Sequence, residues 1–432
     1  MKQLRILSMI LLLHYPAWAQ WSAVGSGSAL DGGVSCLYND TATHVLYISG
    51  QMSNCGGVPC NHIGTWDGLN WTDMGLGLNN EADAIMRYGS SLYVAGPFTS
   101  AGGTSIKYLS RWNGINWSSI GTGVNGVVSA LAVYEGELYA GGIFDTAGGI
   151  AANNIARWNG SSWSAVGTGA NGGIKALTVY NGSLYASGYF DTVGGVNANY
   201  IARWNGSIWD SLESGTNGNV AAMTVYDNEL YVAGGFYMAG GMPANYIAKW
   251  NGTTWSAVGG GVGSPLYCLA GYNGALYAGG SIHTAGSVNV SRIAKWNGAV
   301  WDSVGSGILS DVLTMTAFDG SLYEGNGLLF SGGQYEWMAK WNSPVGIQEQ
   351  QFNSHMTVFP NPCHGATTVE LNTQDNQAYT IYMTDLLGRE VLRSPMEKAR
   401  LVVNTENLTP GVYYLCILSG EEILSGKKII IQ

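Results

Sequence analysis

The chain has 432 residues, of which 64 are Gly and 10 Pro, with 11% charged and 11% aromatic. Glycine is about twice as frequent, and charge less than half as frequent, as in an average protein, a balance that excludes a charged disordered polymer and indicates a turn-rich folded one. The net charge of −10 comes without a basic stripe, so nucleic acid is not an expected partner.

Residues 1–19 read as a secretory signal peptide. Lys2 and Arg5 precede an apolar run from Ile6 to Leu13, and Ala17-Trp18-Ala19 supplies a small-x-small cleavage site. The run is too short to span a bilayer, and no other segment reads as a transmembrane helix. Cleavage leaves 18 − 2 = 16 Lys and Arg against 28 Asp and Glu. The mature chain then opens on "QWSAVGSGS", whose WSAVG returns at 163–167 and 255–259.

From there to Trp341 the chain is a repeat. Leu-Tyr begins at Leu46, Leu92, Leu138, Leu184, Leu230, Leu276 and Leu322, always 46 residues apart. Trp66, Trp112, Trp158, Trp204, Trp250, Trp296 and Trp341 keep the same step, except for a last one of 45. Within one unit, KALTVY and SLYASGYF flank Asn181-Gly182, a type I′ turn signal, while YIARW and SIWDSL flank Asn205-Gly206. Each unit is therefore expected to be a four-stranded antiparallel meander, the form of a β-propeller blade.

The positions expected at the hub are all small: Cys36, Ala84, Ala130, Ala176, Ala222, Cys268 and Thr314. Innermost strands converge there and leave no room for larger side chains. Cys36 and Cys268 accordingly read as small apolar residues, with catalytic thiols as the alternative. Six units end in a fourth strand led by Trp71, Trp117, Trp163, Trp209, Trp255 or Trp301, whereas the seventh stops at Trp341-Asn342-Ser343. The orphan strand at Trp21 is the missing piece, which removes an exposed sheet edge. The expected fold is all-β: a seven-bladed β-propeller over 20–342, its last blade closed by the N-terminal strand, followed by a small C-terminal β-sandwich.

The Gly-rich second strand followed by paired aromatics, as in Gly141-Gly142, Trp158 and Trp163, resembles kelch-type propellers. This chain places Trp-Asn-Gly-x-x-Trp where kelch repeats usually carry Tyr and a longer turn. Kelch-like propellers include protein-binding modules and a copper oxidase, so the resemblance implies architecture and leaves function open.

Residues 343–355 read as a polar linker, and 356–432 lack the repeat. This last segment carries Pro360-Asn361-Pro362, Asp385-Leu386-Leu387-Gly388, Leu408-Thr409-Pro410-Gly411-Val412-Tyr413 and Lys427-Lys428. It resembles the type A C-terminal sorting domain of the type IX secretion system of Bacteroidota. The resemblance implies that the type IX machinery is a partner and that the protein is secreted or placed on the outer-membrane surface. Its own alternation of apolar and polar residues says β-sandwich.

No metal or cofactor is expected, because His44, His62 and His283 are scattered over three units. Asp145-Thr146 and Asp191-Thr192 recur at one loop position, read as turn chemistry or as a carboxylate pair. The cations Arg111, Arg157, Arg203, Lys249, Lys295 and Lys340 read as structural rungs or as ligand groups. The tryptophans read as interblade packing or, in part, as solvent-facing platforms for sugars. The Asn-x-Ser/Thr triplets, such as Asn159-Gly160-Ser161, follow from turn chemistry. Cys55 and Cys60 are expected to form a disulfide after export, and Cys363 and Cys416 a second one. Long loops between strands two and three should share a face with the interblade connections. Asp145, Asp191, Asn199, Tyr237 and His283 on that face are the candidate ligand-binding residues. The leading function is a non-enzymatic surface or secreted protein that binds a protein or glycan. The alternatives are a lectin-like carbohydrate binder and a polysaccharide lyase or hydrolase.

Overall fold

The computed structural model describes residues 20–25, 30–327, 337–342, 356–371, 379–385, 390–396, 400–419 and 422–432. The segments expected to be a signal peptide and a linker lie outside them, as does Gly388. The chain divides into one compact unit of Ala19–Ser343 and another containing Pro344–Gln432.

The described residues of the first unit form seven four-stranded antiparallel sheets. Its fourth sheet is representative, with strands Ile174–Tyr180, Ser183–Gly188, Ile201–Trp204 and Trp209–Ser211 paired in chain order. Local chemistry sets these boundaries. Asn181 and Gly182 both have positive φ, 46° and 69°, which is the I′ geometry that matches strand twist. At the second turn, the Asn205 side-chain oxygen accepts hydrogen bonds from the amides of Ser207 and Ile208, both at 3.0 Å. Asn159 does the same for Ser161 and Ser162 at 2.9 Å, so the triplets serve as turns.

The first strand of each sheet touches that of the next. Val34–Asp40 in the first sheet also touches Val312–Phe318 in the seventh, so the sheets close a ring. The repeat's two rulers are its core. Every Leu of the Leu-Tyr pairs is at most 1% exposed, and Trp158, Trp204, Trp250 and Trp296 are buried.

Two recurrent hydrogen bonds rivet neighbouring sheets. The indole nitrogens of Trp117, Trp163, Trp209, Trp255 and Trp301 donate to a carbonyl 43 residues earlier, just past the last strand of the preceding sheet. In the other direction, the hydroxyls of Tyr88, Tyr134, Tyr180, Tyr226 and Tyr272 donate to the first turn of the next sheet, 48 residues on. Each such bond is worth about 1 kcal/mol, and the ring burial beneath it about 1.5–3 kcal/mol.

The seventh sheet draws its fourth strand from the N-terminus. Gln20–Ala23 pairs with Met338–Asn342, with Trp21 opposite Trp341. The two rings lie 5.4 Å apart, and the Trp21 indole donates to the Val304 carbonyl at 3.4 Å. Trp21 thus repeats across the chain ends what the other five do within the chain.

The tail has a three-stranded sheet (Met356–Phe359, Ala366–Leu371, Arg400–Asn404) and a four-stranded one (Tyr379–Asp385, Glu390–Met396, Gly411–Ser419, Glu422–Ile431). Val369 and Val403 of the first share one apolar cluster with Ile381, Leu415 and Ile429 of the second. Cys55 and Cys60 are disulfide-bonded. Cys363 and Cys416 are both free, contrary to the expected second bridge. Leu415 and Ile417 point into the core, so alternation turns Cys416 to the opposite face, while Cys363 is buried beside Thr405.

Candidate functional site

In each meander the tight turns lie at one end of the sheet, with the connection between strands two and three and the link to the next sheet at the other. The backbone joins these long connections: Val124 bridges Ala147, Ala170 bridges Val193, Thr216 bridges Ala239 and Val262 bridges Ala285. Side chains that vary on an otherwise repeated frame gather at this end.

The first group surrounds the axis. In six sheets the first strand carries a register shift just inside its long-loop end, between residues such as Ile174 and Ala176. A bulge turns its extra residue out of the ladder and re-aims the side chain. The residues there are Ser35, Ser129, Lys175, Ala221, Tyr267 and Leu313, and Asp83 holds the equivalent place in the second sheet. The charges of Asp83 of the second sheet and Lys175 of the fourth act in opposite directions on the Cys36 thiol of the first, Asp83 raising it and Lys175 lowering it. Ser35 donates to the Glu81 carboxylate at 3.1 Å. Burial pushes the Asp83 carboxyl up, Glu81 adds to this, and Lys175 and Ser129 oppose it. Burial, with the Asp83 charge, pushes Cys36 up to about 12, which rules against a nucleophilic thiol.

The second group encircles the first. His62, Tyr108, Asn154, Tyr200, Tyr246 and Arg292 occupy one repeat position, each with φ between 65° and 72°. Two backbone bonds impose this conformation. In the fourth sheet, Tyr200 donates to Phe190 at 2.8 Å and accepts from Gly188 at 3.0 Å. The left-handed region costs a non-glycine residue about 1–2 kcal/mol, and of these six only His62 and Asn154 belong to types enriched there. Large hydrogen-bonding side chains are held here against backbone preference.

The residues expected to bind ligand fare differently. Asp145 is exposed, and its amide and that of Thr146 are held by the Asn125 side chain at 2.9 and 3.0 Å. Asp191 accepts from the Asn171 amide at 2.6 Å and the Thr192 hydroxyl at 2.9 Å, which hold its carboxyl below the usual range. This is turn chemistry. The Asn199 amide donates to the Ser214 carbonyl at 3.0 Å, as Asn153 does to Thr168 at 2.9 Å and Asn245 to Gly260 at 3.1 Å. It is a structural tether between sheets. Tyr237 is 56% exposed and receives the Tyr246 hydroxyl at 2.7 Å, a bond that, with burial, pushes Tyr246 up to about 12. His283 meets the Arg292 guanidinium at 2.7 Å, and Arg292 also pairs with Asp311 at 3.3 Å.

Four of the repeated cations are rungs within their own sheets: Arg157 pairs with Glu137, Arg203 with Asp210, Lys249 with Glu229 and Lys295 with Asp302. The Gly-Gly core of the long loops is structural as well. At Gly194 (φ +60°) a Cβ would lie 2.6 Å from the Trp209 ring. The repeated tryptophans of the third to sixth sheets are buried in packing.

In the tail, the Asn361 side chain accepts from Ile430 at 2.9 Å, and Pro360 accepts the Thr367 hydroxyl at 2.9 Å. Gly411 opens a strand, and the Tyr413 hydroxyl donates to Thr409 at 2.8 Å. Lys427 and Lys428 pair opposite Leu415 and Tyr414 in the last strand.

The bulge residues are not among those expected from sequence to bind ligand. Each immediately precedes a small hub residue, spaced by 46 after a first step of 48, and their diversity beside that uniformity is the signal that could have found them.

Residues 357–432 match the secretion system C-terminal sorting domain. The protein therefore combines a propeller-like ring of sheets with a type IX sorting tail, and it is exported to the cell surface or the extracellular space. No curated protein of similar sequence was found. Among solved structures, PorZ of Porphyromonas gingivalis, a surface component of the type IX secretion system, is 14% identical with a TM-score of 0.47, covering 94% of this chain and 60% of its own. The extracellular domain of the one-component system BT4673 from B. thetaiotaomicron is 10% identical with a TM-score of 0.47, covering 97% and 58%. BamB from Moraxella catarrhalis is 11% identical with a TM-score of 0.34, covering 75% and 91%. The chain thus spans about three fifths of the first two. At these scores the likeness says nothing of ligand or partner.

Proposed function

We propose that residues 20–342 are a seven-bladed, kelch-like β-propeller, joined through a linker at 343–355 to a β-sandwich sorting domain at 356–432. In this reading the exported protein is a non-enzymatic binder, and it recognises a protein or glycan on the long-loop face. The observation that carries it is the recurrent left-handed position. Tyr108, Tyr200 and Tyr246 stand where Gly or Asn would relieve strain, and backbone strain retained at equivalent places is characteristic of binding surfaces. The histidines of this face are tied to other work: His62 donates to the Gly50 carbonyl at 2.9 Å, and His283 lies against Arg292.

The test is capture by the exported protein on a glycan array and from a surface-protein extract. The double variant Tyr108→Asn/Tyr200→Asn should lose most of the capture while melting near the parent temperature. Capture that survives this change but falls on substitution at the Asn181-Gly182 type of turn would move the site to the opposite face and overturn the reading.

A further inference from the structure

We propose that Tyr237 and Tyr246, at the neck of the fifth sheet's long loop, are a pre-assembled site for oxidative coupling, in which a one-electron oxidant of the peroxidase class joins their rings by a carbon–carbon bond ortho to the hydroxyls. The coupling goes beyond the binding role of this face and is independent of what the face captures.

The two phenols already hold the arrangement of the coupled product. The Tyr246 hydroxyl donates to that of Tyr237 at 2.7 Å, and the ring centroids are 4.8 Å apart at an interplanar angle of 56°. Phenols joined ortho to their hydroxyls keep a hydrogen bond between those hydroxyls, and their rings twist about the linking bond to relieve crowding. The tyrosine pairs inside the sheets lack this arrangement. In Tyr88–Tyr93, Tyr134–Tyr139, Tyr180–Tyr185, Tyr226–Tyr231 and Tyr272–Tyr277 the centroids lie 5.6–5.8 Å apart, the first hydroxyl is bonded to a turn carbonyl and the second residue is buried. Tyr237 is 56% exposed, so an oxidant reaches it.

The backbone fixes both partners. The Tyr237 amide donates to the Asn217 side chain at 2.8 Å, the Tyr237 carbonyl accepts from Ala244 at 2.8 Å, and the Tyr246 amide donates to Phe236 at 2.7 Å. Reacting groups held in place in advance have little freedom left to lose on bonding. Among the described residues only the fifth sheet has tyrosine at both places; the second has Thr99 and Tyr108, the fourth Asp191 and Tyr200, the sixth His283 and Arg292. The equivalent loop of the first sheet is already closed by oxidation, through Cys55 and Cys60, which match Ala239 and Ala244 in the repeat. A tie from Tyr237 to Tyr246 closes the fifth loop at the same neck.

In the coupling each phenol loses one electron and its hydroxyl proton, leaving a phenoxyl radical whose unpaired electron spreads to the ortho carbons. The two radicals pair to form the carbon–carbon bond. The hydrogens on the joined carbons then move to the oxygens, restoring both hydroxyls and both aromatic rings. One hydrogen peroxide takes up the two electrons and two protons and leaves as two waters.

The experiment treats the dilute mature full-length protein with a peroxidase and hydrogen peroxide, and reads biphenol fluorescence and peptide masses. The expected product is a peptide pair joined at Tyr237 and Tyr246, two hydrogen atoms lighter than its separate members, in protein that still runs as a single chain on a denaturing gel. Tyr237→Phe and Tyr246→Phe each remove one oxygen and keep the ring, and each should lose that product. Tyr189→Phe removes a hydroxyl from a residue that is 59% exposed, and should retain it. Coupling confined to covalent dimers, a cross-link that persists in Tyr237→Phe, or sulfoxide at the exposed Met238 and Met242 with no cross-link would overturn the proposal. The Tyr108→Asn/Tyr200→Asn variant should still couple, so loss of its capture and failure of the coupling are read separately.

Discussion

Asp83 and Asp40 show how one residue type serves two ends in this ring. Burial raises Asp83, so its ionised form at neutral pH works against folding. A carboxyl raised in the folded state contributes stability below its unfolded pKa and loses it as pH rises through the folded value. Asp83→Asn should therefore raise the melting temperature at pH 7 by roughly 2 °C, the shift that ~1 kcal/mol produces in a domain of this size. The gain should vanish in melts near pH 3, where the carboxyl is protonated in both states; an equal gain at both pH values would show that ionisation is not the cause. Asp40 behaves oppositely. It is 2% exposed, and although burial alone would raise it, hydrogen bonds from Arg87 and Thr43 prevail and hold it low. Its contribution is present above the unfolded pKa and lost as pH falls through the folded one. Asp40→Asn should cost about 3 kcal/mol at pH 7, because it leaves the Arg87 guanidinium facing an uncharged amide at a largely buried site. Urea titration checks this, and a loss under ~1 kcal/mol would mean the pair behaves as a surface one.

At the scale of strands, the N-terminal segment Gln20–Ala23 is held by four backbone pairings, the Trp21–Trp341 ring contact and one indole hydrogen bond. Trp21→Ala removes the last two and a half-buried ring, and should destabilise the ring of sheets by roughly 2–3 kcal/mol, below the 3–5 kcal/mol of a fully buried tryptophan. It should also loosen the edge that the strand covers, seen as earlier aggregation on heating. Unchanged melting and solubility would mean that closure does not depend on this strand. That strand was legible in the sequence because WSAVG is the fourth-strand motif out of place, and the Leu-Tyr and Trp rulers fixed where every other strand lies. The bulges and the left-handed residues were not legible. Backbone dihedrals leave a mark in sequence mainly when Gly or Asn marks them, and at Tyr108, Tyr200, Tyr246 and Arg292 the side chain hides the conformation. The partner of Asn199 was hidden for a related reason: the Ser214 carbonyl that its amide meets at 3.0 Å belongs to the link to the next sheet, 15 residues on. The Cys363 and Cys416 pairing failed on strand parity, which composition does not carry.

Across the whole molecule, the division of labour is a ring that presents side chains and a tail that addresses them. The ring's core is cyclic: each sheet is hydrogen-bonded to both neighbours, the first to the seventh through the Asn39 amide and the Ala317 carbonyl, so its stability is a property of the closed set. The tail's core is likewise its own. Asn361 ties its first turn to Ile430, and His364 hydrogen-bonds the Gln432 carbonyl at 3.0 Å, so its two ends are stitched together. A segment with one apolar cluster shared by its two sheets and with its ends joined is built to fold without its neighbour. Export should therefore be portable. A chain ending at Ser343 should fold, melt as one transition and remain in the periplasm, whereas residues 344–432 joined to a periplasmic reporter should carry that reporter outward. Within the tail, Asn361→Ala should lower reporter export several-fold by freeing the last strand. Asn361→Asp keeps the hydrogen-bond acceptor and should retain export, which separates a lost stitch from a lost recognition group. Fractionation of cells into periplasm, surface and medium reads all of these. Appearance of the truncated ring at the surface would show that the ring carries its own export signal and would separate the tail from the address.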